Sequence, residues 1–95
     1  MSEHKGEYAL INVTEQIVKN LLPDMMSGTG GCTCERCIMD AMALALNSFN
    51  GNYITIKSSE DPEAAAESHI SASDRKKIIL SITKSIDFVK GNPRH

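Results

Sequence analysis

Apolar positions along this chain recur at helical spacing in three places, separated by polar and glycine-rich breaks that mark where the helices end. From Asn12 the chain reads NVTEQIVKNLLPDMM, and Ile17, Val18, Leu21, Leu22, Met25 and Met26 fall on one stripe. Asn12-Val13-Thr14-Glu15 has the form of a capping box, so a helix is predicted from Asn12 to about Met26. Pro23 lacks an N–H and should kink or end it. Ser27-Gly28-Thr29-Gly30-Gly31 then reads as a flexible connection.

The second helix is predicted from Thr33 or Cys34 to Asn47 or Ser48. Ile38, Met39, Ala41, Met42, Ala43, Leu44, Ala45 and Leu46 leave it apolar nearly all round, the composition of a buried central helix. Gly51 and its polar neighbours stop it. Tyr53-Ile54-Thr55-Ile56 is β-prone and reads as one strand or an extended connector. Residues 58–70 open with SSEDPEAAAES and are expected to be an acidic loop with a frayed Ala-rich turn. The last helix should run from Ser71 or Ser73 to about Lys90. Ile78, Ile79, Ile82, Ile86 and Val89 face inward, and Gly91-Asn92-Pro93 ends it. The expectation is a single mainly α domain over residues 1–95, with about three helices, a short extended segment and a flexible N-terminus over residues 1–9.

A chain of 95 residues without Trp, and with only two Phe and two Tyr, buries one small core. Domains of this size often gain stability from a metal or a second subunit. The net charge of −2 argues against binding along a nucleic-acid polymer, yet leaves room for a small anionic ligand. No apolar run approaches the ~20 residues that cross a bilayer. Met1 to Glu7 is polar and mixed in charge, unlike a signal peptide, so a cytoplasmic protein is expected.

Cys32-Thr33-Cys34-Glu35-Arg36-Cys37 holds all three cysteines. The number is odd, and a Cys32–Cys34 bridge would close a strained ring, so this is no disulfide framework. Cys34 and Cys37 lie three apart on the first turn of the predicted second helix, with Cys32 arriving from the glycine-rich connection. The helix dipole and Arg36 favour thiolate there, and zinc takes thiolates readily. Three readings stay open: a metal site, inert structural thiols, or redox chemistry. For a metal, the fourth ligand could be His95, His69, His4, a carboxylate, water or another subunit. Glu35 is the only acidic neighbour, which favours a structural over a catalytic zinc.

The run Cys32-Thr-Cys-Glu-Arg-Cys-Ile-Met-Asp-Ala-Met-Ala-Leu-Ala-Leu-Asn47, followed by Tyr53, resembles the late-competence ComFB family. Its pattern is C-x-C-x-x-C, then Asp, then an A-L-A/S-L-N run and a Tyr. Ile11-Asn12-Val13-Thr14-Glu15 is similar to the family's opening, so the likeness covers roughly residues 10 to 56. The resemblance implies a mainly helical homodimer, with zinc on Cys32, Cys34 and Cys37 in each subunit. Family members can carry a further Cys toward the C-terminus as a ligand; this chain has none, so either His95 or another group takes its place or the zinc is incompletely ligated. Asn50-Gly51 also stands where members commonly have Pro before the Tyr.

Some relatives are receptors for cyclic dinucleotides, so the resemblance implies a second-messenger receptor that signals to a protein partner. Such a ligand needs cations for its phosphates and polar or aromatic groups for its purines. Arg36, Asp40, Asn47, Tyr53, Lys57 and Arg75 are the candidates. Each has a plainer reading: Arg36 and Asp40 as a surface pair, Asn47 as a helix end, Tyr53 as packing, and Arg75-Lys76-Lys77 as a solvated face. The competing reading is a competence-related interaction adaptor with purely structural zinc. No nucleophile–base pair or carboxylate pair stands out, and an enzyme is not expected.

Overall fold

Four helices and a three-stranded antiparallel sheet make up residues 3–30 and 32–91, which a computed structural model describes. The order is β1 (Glu3–Lys5), β2 (Tyr8–Asn12), α1 (Val13–Gly28), α2 (Glu35–Leu46), β3 (Tyr53–Lys57), α3 (Pro62–His69) and α4 (Ala72–Gly91). Gly6 has φ +77° in the two-residue turn between β1 and β2, where a left-handed residue matches the twist of the strands. β2 then pairs with the distant β3, with Tyr8 opposite Lys57, Leu10 opposite Thr55 and Asn12 opposite Tyr53. Period-two alternation therefore buries Ile11 and Ile56 on one face and exposes Tyr8, Leu10 and Tyr53 on the other.

Asn12 ends β2 and caps α1, its Oδ1 accepting from the Glu15 N–H at 3.2 Å, while the Glu15 carboxylate pairs with Lys19 at 2.6 Å. One core follows from the predicted stripes. Ile17, Val18, Leu22 and Met26 of α1 meet Cys37, Ala41 and Ala45 of α2, Ala66 of α3, and Ile78, Ile82, Ile86 and Val89 of α4. The small buried side of α2 lets α1 and α4 pack directly on it.

Several expectations change. There are four helices rather than about three, because residues 58–70, read as an acidic loop, contain α3. Asp61 caps α3 through Oδ2 to the Ala64 N–H, and Pro62 occupies the first turn, where its missing N–H costs nothing. Residues 1–9, read as a flexible N-terminus, contain β1 and the start of β2. Pro23 does not end α1. Its ring removes the donor for the Lys19 carbonyl, but Lys19 lies on the exposed side of the helix, where water can serve it. Nor is α2 buried all round: only Cys37, Ala41 and Ala45 are, and Met39 and Leu44 are exposed.

Candidate metal centre

The cysteine cluster stands where α1 hands the chain to α2. Thr29 caps α1, its N–H meeting the Met26 and Ser27 carbonyls, and Gly30 with φ +74° turns the chain away. Lys90 Nζ donates to the Thr29 carbonyl at 3.3 Å, which brings the C-terminal end of α4 beside this connection. Cys34 is the N-cap of α2, with extended backbone, and its Sγ accepts from the Cys37 N–H at 3.5 Å. The Sγ atoms of Cys32, Cys34 and Cys37 all lie within 4.8 Å of one another.

The two ends of the cluster differ electrically. The Cys37 backbone N–H aimed at its sulfur holds the Cys34 thiol below the usual range, with the Cys32 side chain helping. Burial pushes the Cys37 thiol up to about 12, and the neighbouring Cys32 and Cys34 add to that. Cys32 and Cys34 are exposed while Cys37 belongs to the core. A tetrahedral zinc with Zn–S bonds of about 2.3 Å spaces its sulfurs by about 3.8 Å, so small side-chain rotations would suit this triad to the ion. Among the described residues no fourth His, Cys, Asp or Glu joins the group. His69 closes α3 and stands outside it. His95 lies outside the described residues.

The other predicted site residues are not gathered in one place. Arg36 and Asp40 face each other on α2 at 3.9 Å. The backbone N–H of Asn47 caps that helix on the Ala43 and Ala45 carbonyls. Arg75 pairs with Glu67 of α3, and Ser71 Oγ takes the Asp74 N–H, so the first turn of α4 is already served. Tyr53 and Lys57 do share the outer face of the sheet. Gly51 lies beneath Tyr53: a Cβ there would fall 2.7 Å from a ring carbon.

Two surfaces escaped the sequence analysis. Tyr8, opposite Lys57, adds a second exposed ring to that sheet face, and the alternation Tyr8-Ala9-Leu10-Ile11 was its signal. Between α2 and α4 runs a groove of about 490 Å³, lined by Leu44, Phe49, Leu80 and Phe88 with Lys77 and Lys84 among them. Its signal was a second stripe on α4 at positions 77, 80, 84 and 88, masked by the stronger isoleucine stripe.

Fold and site together define a small, mainly helical domain with a three-cysteine cluster, able to hold a metal ion, at the start of a helix. A sequence model of the late competence development protein ComFB family matches residues 11–93, and the chain belongs to that family. The structure is similar to that of the late competence protein ComFB from Bacillus subtilis. The TM-score is 0.67 at 24% identity, over 90% of this chain and 92% of that one. No curated protein matches the sequence. No helix among the described residues is long and apolar enough to cross a membrane.

Proposed function

We propose that the chain is a non-enzymatic, cytoplasmic regulatory protein, a homodimer stabilised by structural zinc, which binds a cyclic dinucleotide and signals to a protein partner. The observation that carries the zinc is the convergence of three sulfurs within 4.8 Å at the junction of α1 and α2. Held there, the ion would tie the glycine-rich connection to the first turn of α2. His95 is proposed as fourth ligand; supporting it, Lys90 near the end of α4 donates to the Thr29 carbonyl in the connection that leads into the cluster.

Membership of the ComFB family and the sheet face support the ligand. Tyr8 and Tyr53 offer rings for purines and Lys57 a cation for phosphate, the chemistry that cyclic di-GMP or cyclic di-AMP requires. Arg36 and Arg75 would contribute only by leaving Asp40 and Glu67. The α2–α4 groove, with exposed Leu44, Leu80 and Phe88, is the surface proposed for self-association.

The same groove favours a second reading, an interaction adaptor with structural zinc and no small ligand. Calorimetric titration of the zinc-loaded protein with each cyclic dinucleotide, with zinc content and mass measured on the same sample, separates them. Saturable binding supports the receptor. A zinc-replete dimer that gives no heat with either ligand leaves the adaptor.

A further inference from the structure

The three cysteines are unequal in access. Cys34, at the N-cap, is exposed, whereas Cys37 keeps only 2% of its surface and packs among Met26, Ala41 and other core residues. A dissolved oxidant therefore reaches the first sulfur and not the second. The two are nonetheless close: Cys34 Sγ already lies over the first turn, 3.5 Å from the Cys37 nitrogen, and the sulfurs are within 4.8 Å. Residues three apart at a helix start have Cα atoms about 5–6 Å apart, inside the ~4.4–6.8 Å range a disulfide accepts. At such a separation, rotation about the side-chain bonds can close the bridge with little backbone movement. Cys32 is exposed as well, but a bridge between it and Cys34, with one residue between them, would close a strained ring.

We propose that Cys34 and Cys37 form a reversible disulfide on exposure to a hydroperoxide, so that the metal centre is also an oxidant-operated release switch. The release half rests on the zinc reading above; the disulfide half does not. In the first step Cys34 sulfur attacks the outer peroxide oxygen, the O–O bond breaks, and the alkoxide leaves as an alcohol, or as water from hydrogen peroxide. Cys34 is then a sulfenic acid. Cys37 sulfur next attacks Cys34 sulfur, the S–O bond breaks and water departs. Two thiols lose two electrons and the peroxide gains them; the protons come from the thiols, or from solvent when thiolates start on the metal. Only Cys32 of the cluster then remains a thiolate, too few ligands to keep the ion. The connection after Gly28 then loses its tie to α2.

Zinc-loaded full-length protein should be exposed to hydrogen peroxide. Zinc release is followed with a chromogenic chelator, free thiols by titration, and the new bond by peptide mass spectrometry. The expected result is loss of one zinc and two thiols per chain together, a bond mapping to Cys34–Cys37, and recovery of both thiols with dithiothreitol. Metal-free protein should form the same bond, and Cys32→Ser should form it while Cys34→Ser does not. A chain that takes up no zinc sinks the zinc reading and with it the release half of the proposal; the mapped bond in the metal-free chain still decides the disulfide. Retained zinc with a full thiol titre, a bond to Cys32, or a bond between chains overturns the proposal.

Discussion

Cys37 belongs both to the hydrophobic core and to the cysteine cluster, and burial pushes its thiol up to about 12 in the metal-free chain. Zinc binds thiolate, so a proton must leave Cys37 when the ion arrives. The group's pKa is raised, so it stays protonated at neutral pH, and proton competition weakens as pH rises. Zinc affinity should therefore climb between about pH 6 and 8, by about tenfold per unit for each proton released. Competition with a chelator of known affinity measures it, and a flat profile would argue against Cys37 as a ligand. Asn12 illustrates a role legible in sequence alone, since its side chain caps the helix that its position announced. Asn12→Ala should cost about 1 kcal/mol in chemical denaturation.

At the level of elements, α4 carries two apolar faces with different work. Ile82 is fully buried between α1 and α2, whereas Leu80, two residues earlier, is 61% exposed in the groove. Ile82→Ala should lower unfolding free energy by about 2–5 kcal/mol. Leu80→Ala, read under conditions where the chain is monomeric, should stay within about 0.5 kcal/mol, as exposed positions do. The periodicity of the isoleucines identified the inward stripe without structural help. It did not foresee α3, because eight residues with three central alanines carry almost no apolar contrast. Packing against α1, with Ala66 buried, joins the Asp61 cap and Pro62 in holding that segment as a helix. Pro23 is the converse case: a strong local breaker overruled because α1 is held on both sides of it by Leu22 and Met26 in the core.

Over the whole molecule, the groove and the sheet face lie on surfaces built from elements distant in sequence. Leu80→Asp and Phe88→Asp place charge in the apolar groove and should convert a dimer to monomer in light scattering while leaving zinc content unchanged. A mass that stays dimeric moves the interface elsewhere. Tyr53→Ala and Lys57→Ala should weaken cyclic dinucleotide binding in calorimetry without altering mass; unchanged affinity in both removes the sheet face as the site.

By itself the sequence determined the starts of α1, α2 and α4, the inward stripes of α1 and α4, and the cysteine cluster, because each depends on residues within a turn or two of one another. Capping, 3.6-residue spacing and the C-x-C-x-x-C arrangement are local, and local chemistry can be read from order alone. Tertiary structure decided which cysteine is buried, that Tyr8 stands opposite Lys57, that Arg75 is taken by Glu67, and that the supposedly buried α2 leaves one side open to a groove. The Tyr8–Lys57 pairing and the α2–α4 groove join segments dozens of residues apart. The Arg75–Glu67 pair and the burial of Cys37 depend on how helices lie against one another. Only the packing of helices and the pairing of strands, which minimise exposed apolar surface together, settle such contacts.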